Sequence, residues 1–380
     1  MNTTKRRLAV AGILSLALLA SACGSDSSTS DTTAAPTTGG STDTTTGAET
    51  TAGSTTPSDL SATLNGSGAT FPKTFYEEAI AEFTAANSGV TINYGGGGSG
   101  KGRQDLADQI VDWAGTDGVI KEEDLPGFKG GEVLYFPTVV APITVSFNLD
   151  GVDEVSLSAE TIAKIFQVEI TNWNDAAIAA DNPGVTLPDQ AITVVHRSDS
   201  SGTTGNFTKF LEKAAGPDAG GVWKLGTDST VEWPANTQGA EGNGGVASLV
   251  QSTKGAIGYV DLSDAIDSGL AFAKVKNKAG NFVEASLDNA SAAAEGAEIK
   301  DDLTFSAIWA DGDNAYPITA QTWIIAYKKQ TDAAKAAALK AFINYILTDG
   351  QDLAPTVNFA PLPTDLDDKA IAQLDAFEIG

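Results

Sequence analysis

Histidine, cysteine and methionine are nearly missing from this chain, with one of each among 380 residues. A single His rules out a multi-His metal site and makes any Ser-His-Asp triad depend on His196 alone. The lone Cys23 forbids an intrachain disulfide. Basic residues are scarce as well, 23 against 49 acidic. The resulting formal net charge of −26 excludes a large basic footprint for nucleic acid or anionic lipid. No apolar run approaches the roughly 20 residues that span a bilayer. No Ser sits in a Gly-x-Ser-x-Gly elbow, so hydrolase chemistry lacks its usual seat. What remains is an ordinary globular composition, 42% hydrophobic and 19% charged, over a length that suits about two domains.

The first sixty residues read as leader and tether. Lys5-Arg6-Arg7 precedes an apolar stretch from Leu8 to Ala20, followed by Ser21-Ala22-Cys23-Gly24. A short basic region, a short apolar stretch and small residues before a cleavage point mark residues 1–22 as a secretory signal. With the only Cys at that point, the segment resembles a bacterial lipoprotein signal, although Ala20 stands where such signals usually carry Leu. The resemblance implies cleavage before Cys23, acylation of that residue, and a body held at the outer face of the cell membrane. An ordinary secretion signal with an incidental Cys is the alternative. Residues 24–59 are Thr, Ser, Gly and Pro with a few carboxylates, and they hold no aromatic or basic residue. Such a composition cannot offset the entropy of ordering. Residues 23–60 therefore read as a lipidated Cys and a disordered tether, with a reach on the order of 35 Å. The remainder keeps 20 basic against 44 acidic residues, so the acidity belongs to the folded part.

From residue 61 onward, short β-rich runs alternate with amphipathic helical ones, the pattern of an α/β protein. Val90–Tyr94, Ala191–Val195 and Ala256–Val260 read as strands. Phe75, Tyr76, Ala79, Ile80 and Phe83 recur at helical spacing, as do Phe207, Phe210 and Leu211. Asp332–Thr348 carries the clearest helical stripe (Leu339, Phe342, Ile343, Ile346, Leu347), with Gly350 as its stop. Phe136–Phe147 reads as one long extended segment, and Tyr316–Thr319 opens another. Two such crossings divide the body into a lobe from residues 61–137 plus 318–380 and a second lobe from 138–317.

Three places repeat one layout, a strand, a turn of Gly with Ser or Thr, then a helix: Gly66–Pro72, Tyr94–Gly100 and Arg197–Thr204. Each presents free backbone N–H groups and a hydroxyl at a helix start, where the dipole favours an anion. Taken singly, each hydroxyl reads as a cap for its own helix. Three together, one opening with Arg197, point to an anion site. The second turn imitates two nucleotide motifs. Gly95 to Lys101 fits the start of a phosphate-binding loop, but Gly102 stands where Ser or Thr should hold magnesium. Gly95, Gly97 and Gly100 also fit a dinucleotide fingerprint. Both fit poorly in an exported chain. Asp117, in Val111–Gly118, reads in isolation as a solvated turn residue, and His196 as a neighbour of Arg197 without chemistry.

Taken in order, these residues resemble one family. Gly68–Pro72, the Gly-Ser turn after Tyr94, Val111–Asp117, Arg197–Thr203, Gly255–Tyr259 and Tyr316–Thr319 follow the sequence seen in the phosphate-binding proteins of bacterial phosphate ABC transporters, from about Leu64 to Pro363. The resemblance implies a two-lobed, periplasmic-binding-protein-like (type II) α/β fold that closes on one phosphate and delivers it to a permease. It implies no catalysis, no cofactor and no metal. By this resemblance Thr70 and Phe71 give a hydroxyl and a backbone N–H, Ser99 a hydroxyl, and Asp117 the carboxylate that touches the ligand. Arg197 is the cation, Ser201, Gly202 and Thr203 complete the cradle, and Asp199 holds Arg197 in place. The family often shows two consecutive serines in the Gly-rich turn. Here Gly100-Lys101-Gly102 follows Ser99, which adds a cation of unassigned aim.

Asp117 is the informative member, because a carboxylate repels an anion unless the ligand has a proton to donate. Phosphate does at neutral pH and sulfate does not, and a site built around such a bond rejects the analogue lacking it by ~10⁴–10⁵. Three other functions stay open on the residues alone: a secreted phosphatase using Ser201 or Asp117, a surface adhesin with an inert phosphate fold, and a receptor for another tetrahedral oxyanion.

Overall fold

The computed structural model describes residues 60–379; the signal segment, Cys23 and the tether up to residue 59 lie outside the described residues. The chain begins β1 (Ala62–Gly68), α1 (Lys73–Ala86), β2 (Val90–Gly95), α2 (Ser99–Ala107) and β3 (Trp113–Thr116). Both βαβ crossovers return parallel to β1, which places β1 between β2 and β3. The apolar stripe of α1 (Phe75, Tyr76, Ala79, Phe83) is buried, as its 3.6-residue spacing requires. Trp113 stacks on Tyr94 at 4.9 Å and meets Tyr76 edge-on. Gly66 makes room for that indole, since a Cβ there would overlap the Trp113 ring.

A second parallel set repeats the plan: β5 (Thr193–Arg197), α3 (Gly202–Ala215), β6 (Gln238–Ala240), α4 (Gly242–Ser252) and β7 (Ala256–Asp261). Here β5 lies between β6 and β7. Two long strands join the sets, β4 (Val133–Phe147) and β8 (Thr319–Tyr327), every residue of β8 being buried. The sheet order is β2-β1-β3-β8-β4-β7-β5-β6, with a short strand Ala271–Phe272 also on β4. β8 runs antiparallel to both β3 and β4. β4 pairs with β8 as far as Pro142 and with β7 from Ile143 on, so it changes partner in mid-strand. Both sets belong to one compact unit.

Three local expectations need correction. The strand expected at Ala191–Val195 begins at Thr193 and runs on to Arg197. Tyr316 precedes its strand, and its hydroxyl donates to the Ile143 carbonyl at 3.0 Å. The helix read at 332–348 is α5 (Ala333–Leu347), capped by Asp332, whose Oδ1 accepts from Ala334 and Lys335. Gly350 does not stop it: the chain breaks at Thr348, and Gly350 sits inside the following short helix Asp349–Leu353. There it lies against the Tyr345 carbonyl, which a Cβ would approach to 3.0 Å.

Candidate functional site

In both parallel sets, the turns leave the carboxyl ends of the strands, the edge where open α/β sheets gather ligand-binding loops. β1 delivers Thr70 and Phe71, β2 delivers Ser99 and β3 delivers Asp117. From the other set, β5 delivers Arg197 through Thr203. β6 adds a fourth turn of the same make, Glu241-Gly242-Asn243-Gly244-Gly245, which the sequence reading passed over although its strand–glycine–helix layout was visible.

The residues singled out by resemblance come together here. Phe71, Ser99, Asp117, Arg197, Ser201, Gly202 and Thr203 are buried, and Thr70 is half-buried. Ser99 Oγ donates to Asp117 Oδ2 at 3.2 Å and lies 3.1 Å from the Asp117 N–H. Thr322 Oγ1 donates to Asp117 Oδ1 at 2.7 Å. Burial pushes the Asp117 carboxyl up to about 6, against the pull of the Thr322 bond, the Arg197 charge, the Ser99 bond and the Arg103 charge. Above that pH the carboxyl is a buried acceptor among hydroxyl donors.

Arg197 is 3% exposed, and its five N–H donors can be accounted for. Nε donates to Asp199 Oδ1 at 2.7 Å, and Nη2 bonds Asp199 Oδ2. Nη1 donates to Asn243 Oδ1 at 2.8 Å and has only a long 3.4 Å contact to Thr203 Oγ1. Asp199 thus occupies the side edge of the guanidinium. One N–H on Nη2 is left for an anion, beside the Nη1 donor that only Thr203 holds, and weakly. Burial works against the Asp199 charge, but the bond and charge of Arg197 hold its carboxyl below the usual range. Asn243 Nδ2 donates in turn to Asp261 Oδ2 at 2.8 Å, and the Asn243 N–H reaches Thr70 Oγ1 at 3.2 Å. A network therefore runs from the cation to the first turn.

The hydroxyls divide in role. Ser201 caps its own helix, Oγ accepting from the Thr204 N–H at 3.1 Å, yet its O–H proton is still available to donate. Ser99 is the first residue of α2, behind Gly98, and its hydroxyl turns to Asp117. Gly202 and Thr203 open α3, where the first N–H groups have no intrahelical acceptor. Pro72 is the N-cap of α1. Lys101 does not face the site. It pairs with Asp105, which also accepts from Ser67 Oγ at 2.7 Å.

Bonds between the two sets draw them together over these residues. The Gly100 N–H donates to the Ser200 carbonyl at 3.0 Å, and Asn206 Nδ2 to the Asp117 carbonyl at 2.8 Å. Lys121 and Asp228 form an ion pair at 2.7 Å. His196 takes no part: its ring stacks on Trp233 at 5.1 Å, and burial lowers its pKa. Among the described residues no group of three or more His, Cys, Asp or Glu is arranged to hold a metal ion. No helix among them is long and apolar enough to cross a membrane.

A family model described as a PBP superfamily domain matches residues 32–350. The chain is 35% identical over 321 residues to the phosphate-binding protein PstS of Xylella fastidiosa, covering 83% of this chain and 85% of that one. It is 35% identical to the PstS of Pasteurella multocida, covering 82% and 89%. Against Mycobacterium tuberculosis, PstS 2 is 32% identical, covering 82% and 86%. Among solved structures, a high-affinity periplasmic phosphate-binding protein bound with phosphate superposes with a TM-score of 0.68 at 24% identity, covering 82% and 94%. The phosphate-binding protein of Stenotrophomonas maltophilia gives 0.65 at 23%, covering 82% and 93%. These likenesses establish the two-lobed α/β fold of periplasmic binding proteins, and the identities to the curated relatives establish kinship: the chain belongs to the PstS family of phosphate-binding proteins, within the PBP superfamily.

Proposed function

We propose that this protein is a receptor for inorganic phosphate that works outside the cytoplasmic membrane and hands its ligand to an ABC-type permease. It binds and releases without making or breaking covalent bonds, and it is not an enzyme. The observation that carries the reading is a buried Asp117 carboxyl that accepts from Ser99 and Thr322 and feels the Arg197 charge. Such a site suits an anion with a proton to give. Thr70 and Phe71, Ser99, Ser201, Gly202 and Thr203 supply the remaining donors, and Asp199 holds Arg197 by its side edge. The net charge of −26 does not oppose this, because distant charges are screened beyond roughly 8–10 Å whereas Arg197 acts at contact.

The lobes are residues 61–137 with 318–380, and residues 138–317. The change of partner in β4, between Pro142 and Ile143, supports a division within this strand. Acylation at Cys23 anchors the protein at the extracellular face of the cell membrane. The sequence around Cys23 supports this part, and the anchor is checked by mass spectrometry of the exported protein.

The mature chain, exported without lipid as the Cys23→Ser variant and stripped of bound anion, is titrated calorimetrically near pH 7.5. One-to-one phosphate binding with negligible sulfate heat is expected. Equal heats from both anions leave a general oxyanion receptor, and no heat from either sinks the reading. Gly202→Ala tests closure in the same assay. A Cβ there would meet Ser99 Oγ and come within 2.5 Å of Asp117 Oδ2, although its backbone suits Ala. Overpacking of this kind costs ~1–3 kcal/mol, so the contact of Gly202 with Ser99 and Asp117 should loosen and phosphate affinity fall about 10- to 100-fold.

A further inference from the structure

One cation near the site belongs to none of the roles described so far. Arg103 lies four residues after Ser99 on α2, which puts the two side chains on one face, both turned to the end of β3. Ser99 bonds Asp117, and Arg103 Nη1 donates to Thr116 Oγ1 at 2.9 Å. That hydroxyl donates to the Gly118 carbonyl at 2.7 Å, with the Gly118 N–H 3.3 Å from it. The bonds therefore bracket Asp117 from both sides. Arg103 and Asp117 also wall one small cavity of about 160 Å³. Among the described residues Arg103 forms no ion pair, unlike Lys101, whose charge is spent on Asp105. Burial lowers the Arg103 pKa and Asp117 is the foremost charge opposing that, yet an arginine stays protonated in proteins. An unpaired, half-buried cation on an acidic protein calls for a reason.

We propose that Arg103 is a specificity-determining positioning residue: it fixes the Thr116–Gly118 turn and, as the half-buried cation behind Asp117, keeps that carboxyl a proton acceptor where the site works. The inference rests on the phosphate reading above. Its consequence is anion choice. Sulfate has no proton to give, so it can bond Asp117 only when Asp117 itself carries one. Sulfate does not titrate between pH 5 and pH 8, so any pH dependence of its binding belongs to the protein. The groups facing the carboxyl are few. Arg197 comes from β5 and Arg103 from α2. Tyr76 from α1 and Tyr94 from β2 are both pushed up by burial and stay neutral. Lys121, Lys209 and Asp228 share the cavity wall. Removing the Arg103 charge leaves Asp117 easier to protonate, so sulfate should enter at higher pH.

The test is direct sulfate titration from pH 5 to pH 8 of the acyl-free mature protein and its Arg103→Gln, Arg103→Lys and Asp117→Asn variants. Phosphate affinity at pH 7.5 and ligand-free melting are recorded for each. In the parent, sulfate binding should appear on acidification with a midpoint near pH 6, the carboxyl's own pKa. Arg103→Gln should move that midpoint upward by roughly 1 pH unit, as loss of a nearby opposite charge does. Arg103→Lys, which keeps the charge and loses the planar fork, should move it back. Asp117→Asn should bind sulfate with no midpoint at all. A loosened turn alone weakens phosphate at every pH and leaves the midpoint in place. An unmoved midpoint in Arg103→Gln overturns the proposal, as do equal shifts in Gln and Lys or a parent that binds phosphate but takes sulfate at no pH. A parent that binds no phosphate at pH 7.5 defeats the phosphate reading itself, which separates the two failures.

Discussion

Replacing Arg197 by Met lowers phosphate affinity on the order of 10³-fold, the largest loss expected of any single side chain in this protein. Truncating one partner of a buried, hydrogen-bonded charge pair costs ~2–5 kcal/mol of binding, and here the cation also keeps an Nη2 donor for the ligand beside its bonds to Asp199 and Asn243. The substitution has a second effect that must be separated from the first. Asp199 is left as a largely buried carboxylate without its partner, a defect of ~3–5 kcal/mol in stability. The double variant Arg197→Met with Asp199→Asn removes that orphan charge. It should regain most of the ligand-free melting temperature and none of the affinity. Arg197→Lys should fall between, because an ammonium keeps the charge but cannot serve Asp199, Asn243 and the ligand at once. Calorimetric affinity beside thermal unfolding without ligand measures both effects. A single variant that stays within tenfold of the parent's affinity would remove Arg197 from the site.

What could be read from sequence was what is local in sequence. Arg197 and Asp199 stand two residues apart inside one motif, and the family resemblance of that motif implied their pairing before any fold was known. The strand–turn–helix units were legible because β-branched runs, Gly with Ser or Thr, and an apolar helical stripe follow one another within about twenty residues. Thr322 was invisible: it sits in the middle of a fully buried strand and meets Asp117 across 205 positions of chain. Asn243 meets Arg197 across 46 positions and was discoverable only as a further glycine-rich helix start. Arg103 was hidden by its neighbour, since Lys101 stood in the motif and drew attention as the spare cation. Helical phase decides between them. Arg103, at i+4 from Ser99, faces the site, and Lys101, at i+2, points away to Asp105. The stop placed at Gly350 failed for a related reason. Glycine there answers a close approach to the Tyr345 carbonyl rather than the end of α5.

Asp117→Asn should leave a protein that is more stable without ligand and less able to choose one. The stability half follows from the sign of the pKa shift. The carboxyl titrates near 3.8 when unfolded and at about 6 in the fold, chiefly because burial disfavours its charge. Between those values the native state holds the proton more tightly than the unfolded chain does. Ionisation therefore costs stability as pH rises from about 4 to about 6, and above that the cost is constant, at most about 3 kcal/mol. Asparagine escapes it while keeping the partners: Oδ1 still accepts from Thr322 Oγ1, and Nδ2 can donate to Ser99 Oγ. The variant should melt higher than the parent at pH 7 and converge with it toward pH 4. The selectivity half runs the other way. An amide donates where the carboxylate accepted, so sulfate finds a partner and phosphate loses the charge-assisted bond that used its proton. The preference for phosphate, ~10⁴–10⁵ in sites of this kind, should drop below ~10². Phosphate then reverses the order of stability, because ligand stabilises in proportion to the logarithm of its concentration over Kd. The parent gains most from saturating phosphate, so the two melting curves should cross on titration. Curves that never cross, or a variant that melts lower at pH 7 without ligand, would mean that Asp117 is not the strained acceptor on which the choice of anion depends.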